Sequence, residues 1–64
     1  MMYDEEILYY LLENNITQHE YEFYDDYDEV NKLYKYNLLD DDHMQVQVYV
    51  DDVCVDEYEF GIGG

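Results

Sequence analysis

The chain has 64 residues, 48% of them apolar and 19% aromatic, and sets 18 Asp and Glu against only Lys32 and Lys35, a formal net charge of -16. Such a length holds one domain, residues 1–64. The charge excludes a nucleic-acid binder acting through its own surface and a polybasic membrane anchor, which both need cations, and no apolar run approaches the roughly 18 residues of a spanning helix.

Asp4, Glu5 and Glu6 precede a stripe of Ile7, Leu8, Leu11 and Leu12. This predicts a first helix with Asp4 as N-cap, acids suited to the helix dipole, and a stop at Asn14-Asn15. Glu20-Tyr21-Glu22-Phe23 alternates with period two, so a strand is expected from about His19 to Tyr24, although Thr17 with Glu20 also fits a helical capping box. A second helix is expected from about Asp26 to Leu38. Asp26 and Glu29 make a capping pair, and Tyr27, Val30, Leu33 (or Tyr34) and Leu38 share a stripe. Lys32 and Lys35 suit its C-terminal half, and Lys32 lies within reach of Asp28 and Glu29.

The last third is read as a hairpin. Gln45-Val46-Gln47-Val48-Tyr49-Val50 alternates strictly, Asp51-Asp52 interrupts, and Val53 to Phe60 follows. A two-residue loop places Val50 opposite Val53 and Val48 opposite Val55. Val46, Val48, Val50, Val53 and Val55 then form an apolar face that packs on helices. Gln45, Gln47, Tyr49, Cys54, Asp56 and Tyr58 form the other.

The sum is an α+β domain of order α-β-α-β-β: two helices on one face of a short antiparallel sheet, ending in a C-terminal β-hairpin. With the second element helical the order becomes ααα-ββ, a winged-helix-like arrangement with inverted charge. A core this small is marginal, and self-repulsion weakens it further; a homodimer would cover the excess aromatic surface.

The residues that carry chemistry are scarce. Serine is absent, Thr17 is the only threonine, and glycine occurs only at Gly61, Gly63 and Gly64. A hydroxyl triad and a phosphate-binding loop both lack their parts, so no enzyme and no cofactor are expected. Cys54, the only cysteine, lies in a valine run and reads as a reduced, buried, structural thiol. Asp40-Asp41-Asp42-His43 and Asp25-Asp26-Tyr27-Asp28-Glu29 offer hard oxygen ligands but lack EF-hand spacing, so no dedicated metal site is expected. His19 and His43 read as surface histidines with pKa values raised by nearby acids.

The charge exceeds what solubility requires, a net magnitude of about 2 to 8. Area scaling gives about 4,400 Å² of surface, or about one charge per 275 Å². Duplex DNA carries on the order of one per 120 Å². Acids also interleave with tyrosine, as in Glu20-Tyr21-Glu22 and Tyr24-Asp25-Asp26-Tyr27-Asp28, a pattern suited to pairing with and stacking on Arg and Lys.

In size, charge, scarcity of cations and Tyr-rich acidic runs the chain resembles the small acidic bacteriophage proteins that mimic DNA and disable a host nucleic-acid-binding protein. It is similar in character to the Twort-type inhibitor of the bacterial sliding clamp. The resemblance implies a host-takeover inhibitor in the cytoplasm of the host bacterial cell. It would occupy a basic channel, touching neither nucleic acid nor membrane. The expected contacts are the least buried acids, Asp25, Asp26, Asp28, Asp40, Asp41, Asp42, Asp51 and Asp52, with Tyr24 and Tyr27 as aromatic anchors. Two other readings stand beside this one: an acidic adaptor that binds a basic protein without displacing DNA, and a cation-binding protein.

Overall fold

The computed structural model describes residues 4–62. Helix α1 (Asp4–Glu13) is followed by strands β1 (Gln18–Asp25), β2 (Val30–Leu38), β3 (His43–Val50) and β4 (Val53–Gly61). The strands form one antiparallel sheet in chain order, β1-β2-β3-β4. The order is therefore α-β-β-β-β. Neither the two-helix arrangement nor its winged-helix-like alternative holds, because the segment expected as a second helix is a four-residue turn followed by β2.

The reason lies in two ambiguous signals. An acid before a turn of chain makes the same hydrogen bond in a helix N-cap and in an Asx turn. Here Asp25 Oδ1 accepts the amides of Tyr27 (2.9 Å) and Asp28 (3.2 Å), and Glu29 takes a left-handed φ of 57° before the chain enters β2. From there period two prevails over 3.6. Lys32, Tyr34, Tyr36 and Leu38 face one way, while Leu33, Lys35 and Asn37 face the other, and the tyrosines gain by packing on a pleated surface. The Asp28–Lys32 pair expected on a helix does form, at 3.0 Å, but across the turn.

Helix α1 ends as its sequence specifies. Asn15 adopts φ 55°, the Ile16 amide reaches back to the Leu11 carbonyl (3.0 Å) and the Asn15 amide to that of Leu12 (3.4 Å), a Schellman closure. Ile16 then packs on the core beside α1. At the other end of the described helix the Asp4 carboxylate accepts the Tyr58 hydroxyl at 2.6 Å.

The register places His19, Tyr36, Val46 and Tyr58 in one row across all four strands. Asp4 bonds Tyr58 at the β4 edge, and the Tyr10 ring meets His19 at the β1 edge, 5.3 Å between centroids. Helix α1 thus crosses the strands and covers one half of the sheet face. Ile7, Leu8 and Leu11 are fully buried there against Met44, Val46 and Tyr36. Each such side chain contributes about 1.5–3 kcal/mol of transfer free energy.

The β3–β4 turn is the expected two-residue one, with Val50 opposite Val53. Asp51 (φ 52°) and Asp52 (φ 65°) both lie in the left-handed region, which is the type I′ geometry that matches strand twist. The register then departs from expectation. A bulge pairs Val48 with Asp56 and leaves Val55 without a partner. Asp56, Tyr58 and Phe60 consequently take the helix face, with Tyr58 opposite Val46 and Phe60 opposite Met44, while Glu57 and Glu59 turn to the other. One extra residue exchanges the faces of everything beyond it, so Val55 does not join the apolar row of Val46, Val48, Val50 and Val53.

Candidate partner-binding surface

Meander topology sorts the acidic runs by end. The β1–β2 and β3–β4 turns lie at the same end of the sheet. Asp25, Asp26 and Asp28, with Tyr24 and Tyr27, therefore stand near Asp51 and Asp52, about 10 Å apart at two strand spacings. Asp40, Asp41 and Asp42 occupy the β2–β3 loop at the opposite end, a strand length of about 27 Å away. The expected contact residues thus form two groups rather than one.

Within the first group the residues are not equivalent. Tyr27 is 95% and Tyr24 55% exposed, and Asp26, Asp51 and Asp52 are exposed as well. Asp25 instead holds the turn. Its Oδ1 accepts two amides and its Oδ2 lies 2.9 Å from Lys32 Nζ, leaving the side chain 21% accessible. The Lys32 ammonium, aided by the turn amides, keeps the Asp25 carboxyl below the usual range, and Asp25 and Asp28 raise Lys32 in return.

In the second group Asp40 Oδ1 accepts the Asp42 amide (3.0 Å) and lies 3.1 Å from His43 Nδ1, which also meets Asp42 Oδ1 at 2.5 Å. The Asp42 amide above all brings the Asp40 carboxyl down to about 2, and Asp40 and Asp42 raise His43, as the sequence led one to expect for this histidine. The donor atoms of Asp40, Asp42 and His43 lie within 4.8 Å of one another on an exposed loop. Gly61 makes room for this arrangement: a Cβ there would come 2.5 Å from His43 Cδ2 and 3.3 Å from the Asp42 carbonyl oxygen, so the ring would have to move. His19, by contrast, lies half-buried between the Tyr10 and Tyr36 rings.

Sequence reasoning placed Gln45, Gln47, Tyr49 and Cys54 on the face of the sheet opposite α1 but chose no contact residue there. There the register lines up Gln18, Asn37, Gln45 and Glu59; then Glu20, Lys35, Gln47 and Glu57; then Glu22, Leu33, Tyr49 and Cys54. The carboxylates of this face, Glu20, Glu22, Glu57 and Glu59, all stand on the two edge strands. Gln45 and Gln47 both donate to Glu57, at 3.0 and 3.2 Å, and Lys35 Nζ lies 4.7 Å from the centre of the Tyr49 ring. A shallow depression of about 230 Å³ is lined by Glu22, Asn31, Leu33, Tyr49, Asp51 and Asp52. The period-two spacing of Glu20 with Glu22, and of Glu57 with Glu59, was the signal for these edges. Cys54 belongs to this face and is exposed, not buried, because β4 is an edge strand; its thiol lies 3.4 Å from the Asp56 carbonyl.

Comparison with protein-family models, with curated proteins and with solved structures gives no match. Among the described residues no helix is long and apolar enough to cross a membrane.

Proposed function

We propose that this chain is a DNA mimic that occupies the basic DNA-binding channel or cleft of a host protein, the replication sliding clamp among the candidates, and blocks DNA from entering. The observation that carries the reading is the disposition of charge. Among the described residues no Asp or Glu is buried, while Lys32 is held by Asp25 and Asp28 and Lys35 lies over Tyr49. With a net charge of -16 on 4618 Å², the surface carries about one net charge per 290 Å². That is about two-fifths of the charge density of duplex DNA, about one per 120 Å², carried by a far smaller body.

Geometry supports the same reading. Glu20 and Glu22 on β1 and Glu57 and Glu59 on β4 form two short rails, each stepping by about 6.8 Å and separated by three strand spacings, about 14 Å. Exclusion needs no chemistry. Carboxylates replace phosphates on the partner's Arg and Lys, association is fast, and it weakens steeply with salt.

The test is affinity capture from bacterial lysate on the immobilised protein, eluted by a salt gradient, followed by challenge of the captured protein with duplex DNA. The proposal expects a DNA-binding protein that duplex DNA displaces. A captured partner that holds this chain and DNA together would refute mimicry and establish the adaptor reading instead.

A further inference from the structure

Beyond the rows beneath α1 the helix-bearing face carries two more: Tyr21, Tyr34, Val48 and Asp56, where Val48 is buried and both tyrosines pack against the core, then Phe23, Lys32, Val50 and Val53. Phe23, Val50 and Val53 lie outside the cluster that α1 closes; Phe23 and Val50 are half-buried and Val53 is 61% exposed. The Val50 row lies about 14 Å from the Tyr36 row beneath α1, so a helix of about 10–12 Å diameter centred over it stands clear of α1.

The surroundings of this strip are acidic. Asp28, Asp51 and Asp52 border its far end, Asp56 lies within it, and its single cation, Lys32, is already bound by Asp25 and Asp28. An apolar centre with a charged rim is the anatomy of a protein interface. A second copy of this chain fits poorly, since its own helix exposes Glu5, Glu6 and Glu13 and would bring like charge to the rim.

Resting on the proposed binding of a basic partner, we infer that this strip receives a basic amphipathic helix of that partner, its apolar stripe on Phe23, Val50 and Val53 and its Lys and Arg on the acidic rim. The partner is then held by shape and apolar contact as well as by charge.

The probe is a synthetic Leu/Lys peptide of roughly 18 residues patterned at the helical period, compared with one of identical composition patterned at period two. Binding is read by fluorescence anisotropy, and helix formation by circular dichroism. Val53→Arg and Gln47→Arg add the same charge to opposite faces. Val53 is exposed, Gln47 is half-buried on the sheet face opposite α1, and thermal melts verify that both variants fold. The helical peptide is expected to bind about ten-fold tighter than its period-two counterpart, to gain helicity, and to lose about ten-fold with Val53→Arg but under about three-fold with Gln47→Arg. Equal binding of the two peptides, or equal loss with the two variants, would overturn the site and leave the electrostatic reading in place. A dimer in sedimentation that Val53→Arg dissolves would overturn it in favour of a second copy. Because no DNA is present, this assay can succeed even where displacement of DNA fails.

Discussion

The Asp51-Asp52 turn stores a deficit that can be measured. Both residues lie at positive φ, 52° and 65°, and neither is glycine. A non-glycine residue in that region costs roughly 1 kcal/mol, less for Asp and Asn than for others. Replacing the pair by Asn-Gly keeps the type I′ geometry and relieves most of the cost at Asp52. It gives back roughly 0.5 kcal/mol through the greater freedom of glycine in the unfolded chain. Removing two charges from -16 adds a further gain that salt screens. Asp51→Asn with Asp52→Gly should therefore stabilise by about 0.5 kcal/mol in 1 M salt, where the Debye length is about 3 Å, and by more in dilute buffer. For a domain of this size that raises Tm by about 2–4 °C in 1 M salt. Paired thermal melts at the two ionic strengths check it. A gain confined to dilute buffer would show that charge removal alone acts and that the turn holds no strain. A loss at either salt would refute the assigned geometry.

Three further outcomes follow from the packing and the titrating groups. Met44→Ala empties a fully buried site beneath α1 and should cost about 2–5 kcal/mol, enough to leave much of so small a domain unfolded at 25 °C; denaturant titration reads it. Gly61→Ala drives the His43 ring from Asp40 and Asp42, so the raised His43 pKa should fall toward its ordinary value with little loss of stability; a titration of the ring by NMR in which it does not move would be contrary evidence. Burial pushes the Tyr36 phenol up to about 12, and burial together with the Asp4 carboxylate raises Tyr58 as well. Both folded values exceed the unfolded one of about 10, so the stability they contribute is intact below pH 10 and is lost as pH climbs toward 12. Tyrosinate absorbance should accordingly show two slow-to-ionise phenols until the fold melts, and ionisation of every tyrosine near 10 in a still folded chain would count against the packing described.

Local chemistry and lattice-like register divide what could be read from the residues. The helix over Asp4–Glu13, its Asn14-Asn15 stop, the strand through Glu20-Tyr21-Glu22-Phe23 and the Asp-Asp hairpin are all written in short windows, where apolar period and backbone preference agree. The charge of -16 and the exclusion of a cationic surface are properties of composition and needed no fold. Segment 26–38 was misread because its acids satisfy amides equally in a cap or in an Asx turn. Only the neighbouring strands, which give Tyr34 and Tyr36 partners on both sides, decide for the sheet.

What tertiary structure alone decided is which residues meet. The unpartnered Val55 sends Tyr58 and Phe60 to the core and Glu57 and Glu59 to the open face, although the run itself shows no extra residue. The crossing of α1 over half the sheet leaves Phe23, Val50 and Val53 outside its core. The meander gathers two acidic turns at one end and sends the third to the other. Each of these depends on pairing between segments distant in the chain. The physical reason is that periodicity tells a side chain to alternate, while only its cross-strand partner tells it which face to take.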